Sequence, residues 1–170
     1  MATQNESVLV RFLLGKGTDH RGRTLDEILC QDDFWLEHTH DYIQWLFPIP
    51  EAGRFNGFAP VLDENTRDCF ANEPKLQGQQ RRALDRVLRF LGLSRHGELV
   101  EPTPALNPRD HIWLKRGGHN QLRITRMILS LHYCHQLRLA KSLQATVINL
   151  GKTRGYVQDD TIDYWLRATE

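Results

Sequence analysis

The chain has 170 residues, with 22 Lys and Arg against 21 Asp and Glu, 40% hydrophobic and 25% charged side chains. That is the make-up of one ordinary soluble globular domain and excludes a disordered, collagenous or fibrous chain. A domain this long buries about 70% of its unfolded surface, so its core needs neither metal nor disulfide, and no cofactor is expected.

Apolar spacing follows the 3.6-residue period through most of the chain, and strand-like alternation is nearly absent. The predicted fold is all-α: a single helical domain over residues 1–170, a bundle of about seven to nine helices with two long Pro/Gly-rich loops. A short helix over residues 7–14 stops at Gly15. Thr24-Leu25-Asp26-Glu27 is a capping box that starts a helix over residues 25–30. Asp32 or Asp33 caps a longer aromatic helix to about Leu46, ended by Pro48 and Pro50. Residues 47–62 read as a loop, Asp63 caps another short helix, and Pro74 opens a long one that closes at Gly92. Residues 93–107 form the second loop. Asn107-Pro108 starts a short helix through Trp113 and Lys115, Gly117-Gly118 breaks it, and Asn120 caps the next. Helices near 138–150 and 159–167 follow.

The opening residues hold an acidic side chain, no leading basic cluster and only a short apolar run, so no secretory signal is expected. Nothing approaches the roughly 18 apolar residues of a membrane span. Cys30, Cys69 and Cys134 form no CxxC pair, which points to free thiols in a reducing, cytoplasmic compartment.

The near-neutral total hides an asymmetry. Residues 1–74 hold 6 basic and 13 acidic side chains, whereas residues 75–141 hold 13 basic and 4 acidic. Either the basic middle packs against the acidic first part, or it faces an anionic partner. The first is the simpler expectation.

On a helical wheel, Phe34, Trp35, His38, Tyr42, Trp45 and Leu46 share one arc, the width of a core face. His38 is thus expected as a core histidine, while His40 points away, so the pair chelates no metal from a continuous helix. Glu37 and Asp41, spaced i, i+4, repel each other and want a cation. The helix after Pro74 turns Leu76, Ala83, Leu84, Val87, Leu88, Phe90 and Leu91 inward, and Lys75, Arg82, Arg86 and Arg89 outward. Asp85 is placed to pair with Arg81 and Arg89. That basic face lacks the interleaved aromatics of a nucleic-acid groove.

Residues 113–126 are the most unusual stretch. Arg123 and Arg126 fall in or near the first turn after Asn120, where the helix N-terminus is already positive. A bound phosphate or carboxylate would offset this, cradled by backbone N–H groups, two glycines, Arg116 and His119. Glu37 and Asp41 would do so from inside the molecule, and this internal pairing is the favoured expectation. Arg116, His119, Asn120, Arg123 and Arg126 are the binding-site candidates. Glu37, His38, Asp41, Tyr42 and Trp45 are structural ion-pair or core candidates. Two apolar stripes, one through Ile124, Met127, Ile128, Leu131 and Cys134 and one through Leu122, Leu129 and Tyr133, predict a helix covered on two sides. His132, Cys134 and His135 face apart, so no metal site is read there, and no catalytic residue is assigned.

Two of these segments carry a resemblance. Glu37-His38-Thr39-His40-Asp41-Tyr42-Ile43-Gln44-Trp45-Leu46-Phe47-Pro48 resembles the E-x-x-H-x-Y-I-Q-W-L-F-P signature of the opioid growth factor receptor conserved-region family. His119-Asn120-Gln121-Leu122-Arg123-Ile124-Thr125-Arg126-Met127-Ile128-Leu129-Ser130-Leu131 is similar to the same family's H-N-x-L-R-I-T-R block. Weaker similarity runs over residues 9–29, including Gly22-Arg23-Thr24, and 81–93, so the likeness spans most of the chain. The resemblance implies a stand-alone, microbial-type member of a family whose animal members are described as receptors. Their ligand is the opioid growth factor, a methionine enkephalin peptide, and they are nuclear and restrain proliferation.

The expected function is therefore a receptor-like, signalling module without catalysis, which binds a peptide or protein partner through the 47–62 loop and the 113–120 corner. Its first alternative is a nucleic-acid or phosphate-ligand binder using residues 115–126. The second is an enzyme with a His38/Glu37 site, which requires an open cleft at His38.

Overall fold

A computed structural model describes residues 6–51 and 57–170. Among these, the chain is mainly helical, with nine α-helices, one 3-10 turn and one two-stranded sheet. It divides into two compact units, residues 1–83 and 84–170.

The first unit is built from short capped helices. Ser7 accepts a hydrogen bond from the Val10 amide (3.2 Å) and starts α1 (Val8–Leu13), which Gly15 ends in the left-handed region at φ +77°. The expected capping box is complete: Thr24 accepts from the Glu27 amide and Glu27 reaches back to Thr24, opening α2 (Leu25–Leu29). Asp32 caps α3 (Asp33–His38) and Asp63 caps α5 (Glu64–Asn72). Phe12, Leu13, Leu25, Ile28, Leu36, Tyr42, Leu46 and Phe70 are wholly buried and form the core of this unit.

The long aromatic helix predicted up to Leu46 is interrupted. Thr39 is extended (φ −104°, ψ 128°), and a separate turn of helix, α4 (Ile43–Leu46), follows. Residues 38–41 are His, Thr, His and Asp, all weak helix formers. Across the break the buried Tyr42 hydroxyl donates to the Leu36 carbonyl (2.7 Å). His38 consequently leaves the core arc. It stands exposed beside an exposed Phe34, the rings stacked 4.1 Å apart. Of the predicted 47–62 loop, 52–56 lie outside the described residues; the described parts, 47–51 and 57–62, are mostly irregular and joined by a parallel bridge between Ile49 and Val61.

Pro74 opens α6 (Pro74–Phe90), as expected, and the division between units falls within it. Leu76, Ala83, Leu84, Val87, Leu88 and Leu91 are buried, but so is Arg86, which was expected outside. Arg86 lies i+3 from Ala83, on the edge of the apolar stripe rather than opposite it. Asp85 is held in a bidentate pair with Arg95 (2.7 and 2.9 Å).

The predicted second loop contains a hairpin, β1 (Leu93–His96) with β2 (Leu99–Pro102). Its two-residue connection, Gly97-Glu98, places Gly97 at φ +61°, the device of a type II′ turn. Ser142 and Thr146 bond the Val100 amide and carbonyl, each at 2.8 Å, so helical side chains complete the outer edge of β2. The rest of the second unit is α7 (Gln121–Tyr133), α8 (Leu137–Thr153) and α9 (Asp159–Arg167), mutually packed around Ile124, Met127, Leu131, Leu143, Val147 and Trp165. Of the second predicted stripe of α7, Leu122 is 82% exposed, whereas Leu129 and Tyr133 are half-buried.

Candidate functional site

The 113–126 segment is a corner whose main chain is fixed from several sides. The 3-10 turn Ile112–Leu114 buries Trp113, whose indole N–H donates to the Leu91 carbonyl (2.8 Å). The chain then reverses at Gly117 (φ +61°), and the Gly118 amide bonds the Lys115 carbonyl (3.1 Å). A Cβ at Gly118 would sit 1.9 Å from the Ile112 oxygen, so glycine is obligatory there.

Asn120 occupies the N-cap position of α7 but does not cap it through its side chain. It is left-handed at φ +77°, where an N-cap side chain cannot reach the first-turn amides in the usual extended geometry. The organiser is its neighbour. Gln121, 7% exposed, donates through Nε2 to the carbonyls of Trp113 and Lys115, both at 2.9 Å. Its Oε1 accepts from the Thr161 hydroxyl (3.1 Å), and its main-chain oxygen accepts from the Trp165 indole (3.2 Å). Trp113 and Trp165 meet edge to face at 6.3 Å. On the other flank the Tyr156 amide donates to the Leu114 oxygen (2.7 Å), and Gly155 lies so close that a Cβ would come within 2.5 Å of that oxygen.

This frame presents Lys115, Arg116, His119, Leu122 and Tyr156 to solvent, Tyr156 being 76% exposed. Asn120, Arg123 and Arg126 are half-buried. Burial pushes the Arg126 guanidinium down to about 10, still protonated at neutral pH. The five binding candidates thus lie on one short stretch, two exposed and three part-covered. Sequence reasoning missed Gln121, Gly155 and Tyr156. A glutamine in a first helical turn carries no signal of the four groups it joins.

The aromatic segment has its own polar centre, at a turn the sequence singled out only by the Gly22-Arg23-Thr24 likeness. Asp19, its carboxylate fully buried, accepts from the amides of Arg21 and Arg23 (both 2.9 Å) and from Arg23 Nε (2.7 Å). Gly22 makes the turn possible at φ +75°. The other arm of Arg23 reaches Asp41 Oδ1 (3.1 Å) and the Asp41 carbonyl (3.3 Å), while its guanidinium lies over Trp35 at 5.3 Å. Arg21 and His20 bond the other Asp41 oxygen, and the His20 ring is stacked near Phe58 (4.7 Å) and Trp45 (6.0 Å). Asp41 therefore finds its cations within the acidic half itself. Of the other structural candidates, Tyr42 and Trp45 are buried as expected and Glu37 is half-buried. His38 is the exception: exposed, it donates from Nδ1 to the Phe34 carbonyl (2.9 Å). Among the described residues no three His, Cys, Asp or Glu side chains converge to hold a metal ion.

Burial pulls the Asp41 carboxyl up, but Arg21, Arg23 and His20 together outweigh it and hold the group below the ordinary carboxylate range. A lowered folded-state pKa gives stability that is complete above the unfolded value of about 3.9 and is lost as pH falls through the folded value. Asp41→Asn is therefore expected to unfold at lower urea than wild type at pH 7, with the gap closing below about pH 4. Urea midpoints measured from pH 7 down to pH 3 check this. A gap that stays constant with pH would rule out the ionised pair as its source.

Comparison with known proteins places these features in a family. The family model described as "Opioid growth factor receptor (OGFr) conserved region" matches residues 5–170. The mouse opioid growth factor receptor is 36% identical over 99 residues, covering 56% of this chain and 15% of that protein. The rat receptor is 36% identical over 116 residues, covering 65% of this chain and 20% of its own length. Opioid growth factor receptor-like protein 1 of Xenopus tropicalis is 33% identical over 136 residues, covering 77% of this chain and 26% of that protein. The chain thus spans between about a seventh and a quarter of these relatives. No solved structure matches.

Proposed function

We propose, on the premise that the chain belongs to the opioid growth factor receptor conserved-region family, that it is a recognition module for a peptide or protein partner and performs no catalysis of its own. The observation that supports this reading is the corner at residues 113–122. Buried Gln121, two indoles and two obligatory glycines fix its backbone, while Lys115, Arg116, His119, Leu122 and Tyr156 project from it. A rigid frame under an exposed mixed surface lowers the entropic cost of binding. Its chemistry suits a segment with a carboxylate for Arg116 and His119 and an apolar side chain for Leu122 or Tyr156.

The relatives are named for the opioid growth factor, so methionine enkephalin is the first probe. It carries a carboxylate and aromatic and apolar side chains. Calorimetric titration is expected to give saturable heat with wild type, and severalfold weaker binding with Arg116→Glu at unchanged melting temperature. Silence with wild type at millimolar peptide would reject this ligand.

No helix in the described residues is long and apolar enough to cross a membrane. A cytoplasmic location accords with this reading, since Cys30 and Cys69 are exposed free thiols. A second reading, a nucleic-acid or phosphate-bearing ligand at Arg116, His119, Asn120, Arg123 and Arg126, is favoured by one observation: the main chain of exposed Tyr156 is bonded to Leu114, the residue just before Lys115 and Arg116, so an exposed aromatic and cations belong to the same corner. That reading requires affinity that falls steeply with salt. Binding of the peptide that is insensitive to salt, with no mobility shift of an oligonucleotide, separates the two.

A further inference from the structure

The first unit holds a groove that neither the family likeness nor the corner explains. It has a volume of about 580 Å³, within the range of about 300–1,000 Å³ usual for ligand pockets, and runs between α1, α5 and the first turn of α6. Its existence follows from sequence. Helix α5 turns only Thr66 and Phe70 to the core, and the face spaced Asn65, Asp68, Cys69 and Asn72 carries short side chains that leave the space open. Opposite it, Val10 of α1 and Leu14 just after that helix, with Leu76 at the end, make an apolar floor.

Around that floor stand the carboxylates of Glu6, Asp63, Asp68 and Glu73, and among the described residues the lining contains no Lys, Arg or His. Asp63 spends one oxygen on the Thr66 amide (2.8 Å), and Glu6 makes a long, exposed contact of 3.5 Å with Lys16. Neither offsets the charge inside the groove. The carboxylates do not converge on a point, so they do not form a metal site. They are distributed along a trough, which matches cations spaced along a chain. An apolar floor below separated acids also suits Lys and Arg side chains, whose aliphatic stems bury while their heads reach the rim.

We propose that this groove is a docking site for a lysine- or arginine-bearing segment of a partner protein. It is a second surface, opposite in charge to the corner, and it does not depend on what the corner binds. Electrostatic complementarity of this kind sets partner choice and association rate.

Cys69 supplies a reporter, since its thiol is exposed in the lining, and Cys30, also exposed and outside the lining, is the internal control. The probe is a short peptide alternating Lys and Leu, compared with its Glu-for-Lys counterpart. The Lys peptide is expected to bind, with affinity reduced severalfold at high salt, and to slow maleimide labelling of Cys69 while leaving Cys30 unchanged. Asp68→Lys combined with Glu73→Lys, both at exposed positions, is expected to abolish that binding and protection without lowering the melting temperature. Equal binding of the two peptides, equal protection of both thiols, or full affinity in the double variant would overturn the proposal. So would self-association of the wild type that blocks Cys69 and is removed by the same substitutions, because the occupant would then be a second copy. The labelling readout uses the wild-type chain, so the test survives a variant that fails to fold.

Discussion

Arg23→Leu is expected to destabilise the first unit by about 3–5 kcal/mol, the cost of leaving a buried charge without its partner. Asp19 has no exposed side-chain surface and holds Arg23 Nε at 2.7 Å, so the substitution strands its carboxylate away from water. It also removes the bond from Arg23 to Asp41 at 3.1 Å and uncovers the face of Trp35. Leucine fills much of the lost volume, so the loss reports charge rather than cavity. The double variant Asp19→Asn, Arg23→Leu should recover part of the cost, because a neutral amide still accepts from the amides of Arg21 and Arg23. Urea unfolding of the four proteins of this cycle measures the coupling. A single-variant cost below about 1 kcal/mol would class the pair with ordinary surface salt bridges and overturn its buried role.

Gly118→Ala is expected to cost at least about 3 kcal/mol, at the high end of single substitutions, and to abolish any binding at the corner. The added carbon would lie 1.9 Å from the Ile112 oxygen, an approach that only a shift of the main chain can relieve. That shift would move the carbonyls of Trp113 and Lys115 away from Gln121. Gly117→Ala is the matched control. Open space surrounds that position and only its positive φ opposes a side chain, a cost of about 1–2 kcal/mol. Thermal unfolding of both variants distinguishes collision from backbone strain. If the two lose equal stability, the close approach at Gly118 is not what fixes the corner.

Local signals were readable from sequence wherever the physics is local. Thr24 and Glu27, Asp63, and Pro74 each mark a helix start through groups within three or four residues, and the structure places helices where they say. The break after His38 was not readable, because it is stabilised by non-local bonds: Tyr42 to Leu36, and Arg23 to the Asp41 main chain. A wheel drawn through residues 34–46 assumes a continuity that weak helix formers at 38–41 do not supply. The hairpin is not legible in the sequence for a similar reason. Only Leu93 and Val100 of its strands are deeply buried, too few for an alternation, and its edge is satisfied by Ser142 and Thr146 from more than forty residues away. At the corner, Arg123 and Arg126 were legible by their charge against the helix dipole, and the structure half-buries both. Gln121, which holds the turn in place, was not legible, since an amide announces its partners only when folded.

The bonds by which Gln121 joins Trp113, Lys115, Thr161 and Trp165 have a practical consequence for engineering. Because that residue and the flanking glycines anchor both ends of the reversal from inside, the outward side chains of Lys115 and Arg116 are released from any duty to the fold. A library randomised at those two sites, with Gly117, Gly118 and Gln121 held constant, should retain its melting temperature across most members, making this turn a graft point for new selectivities.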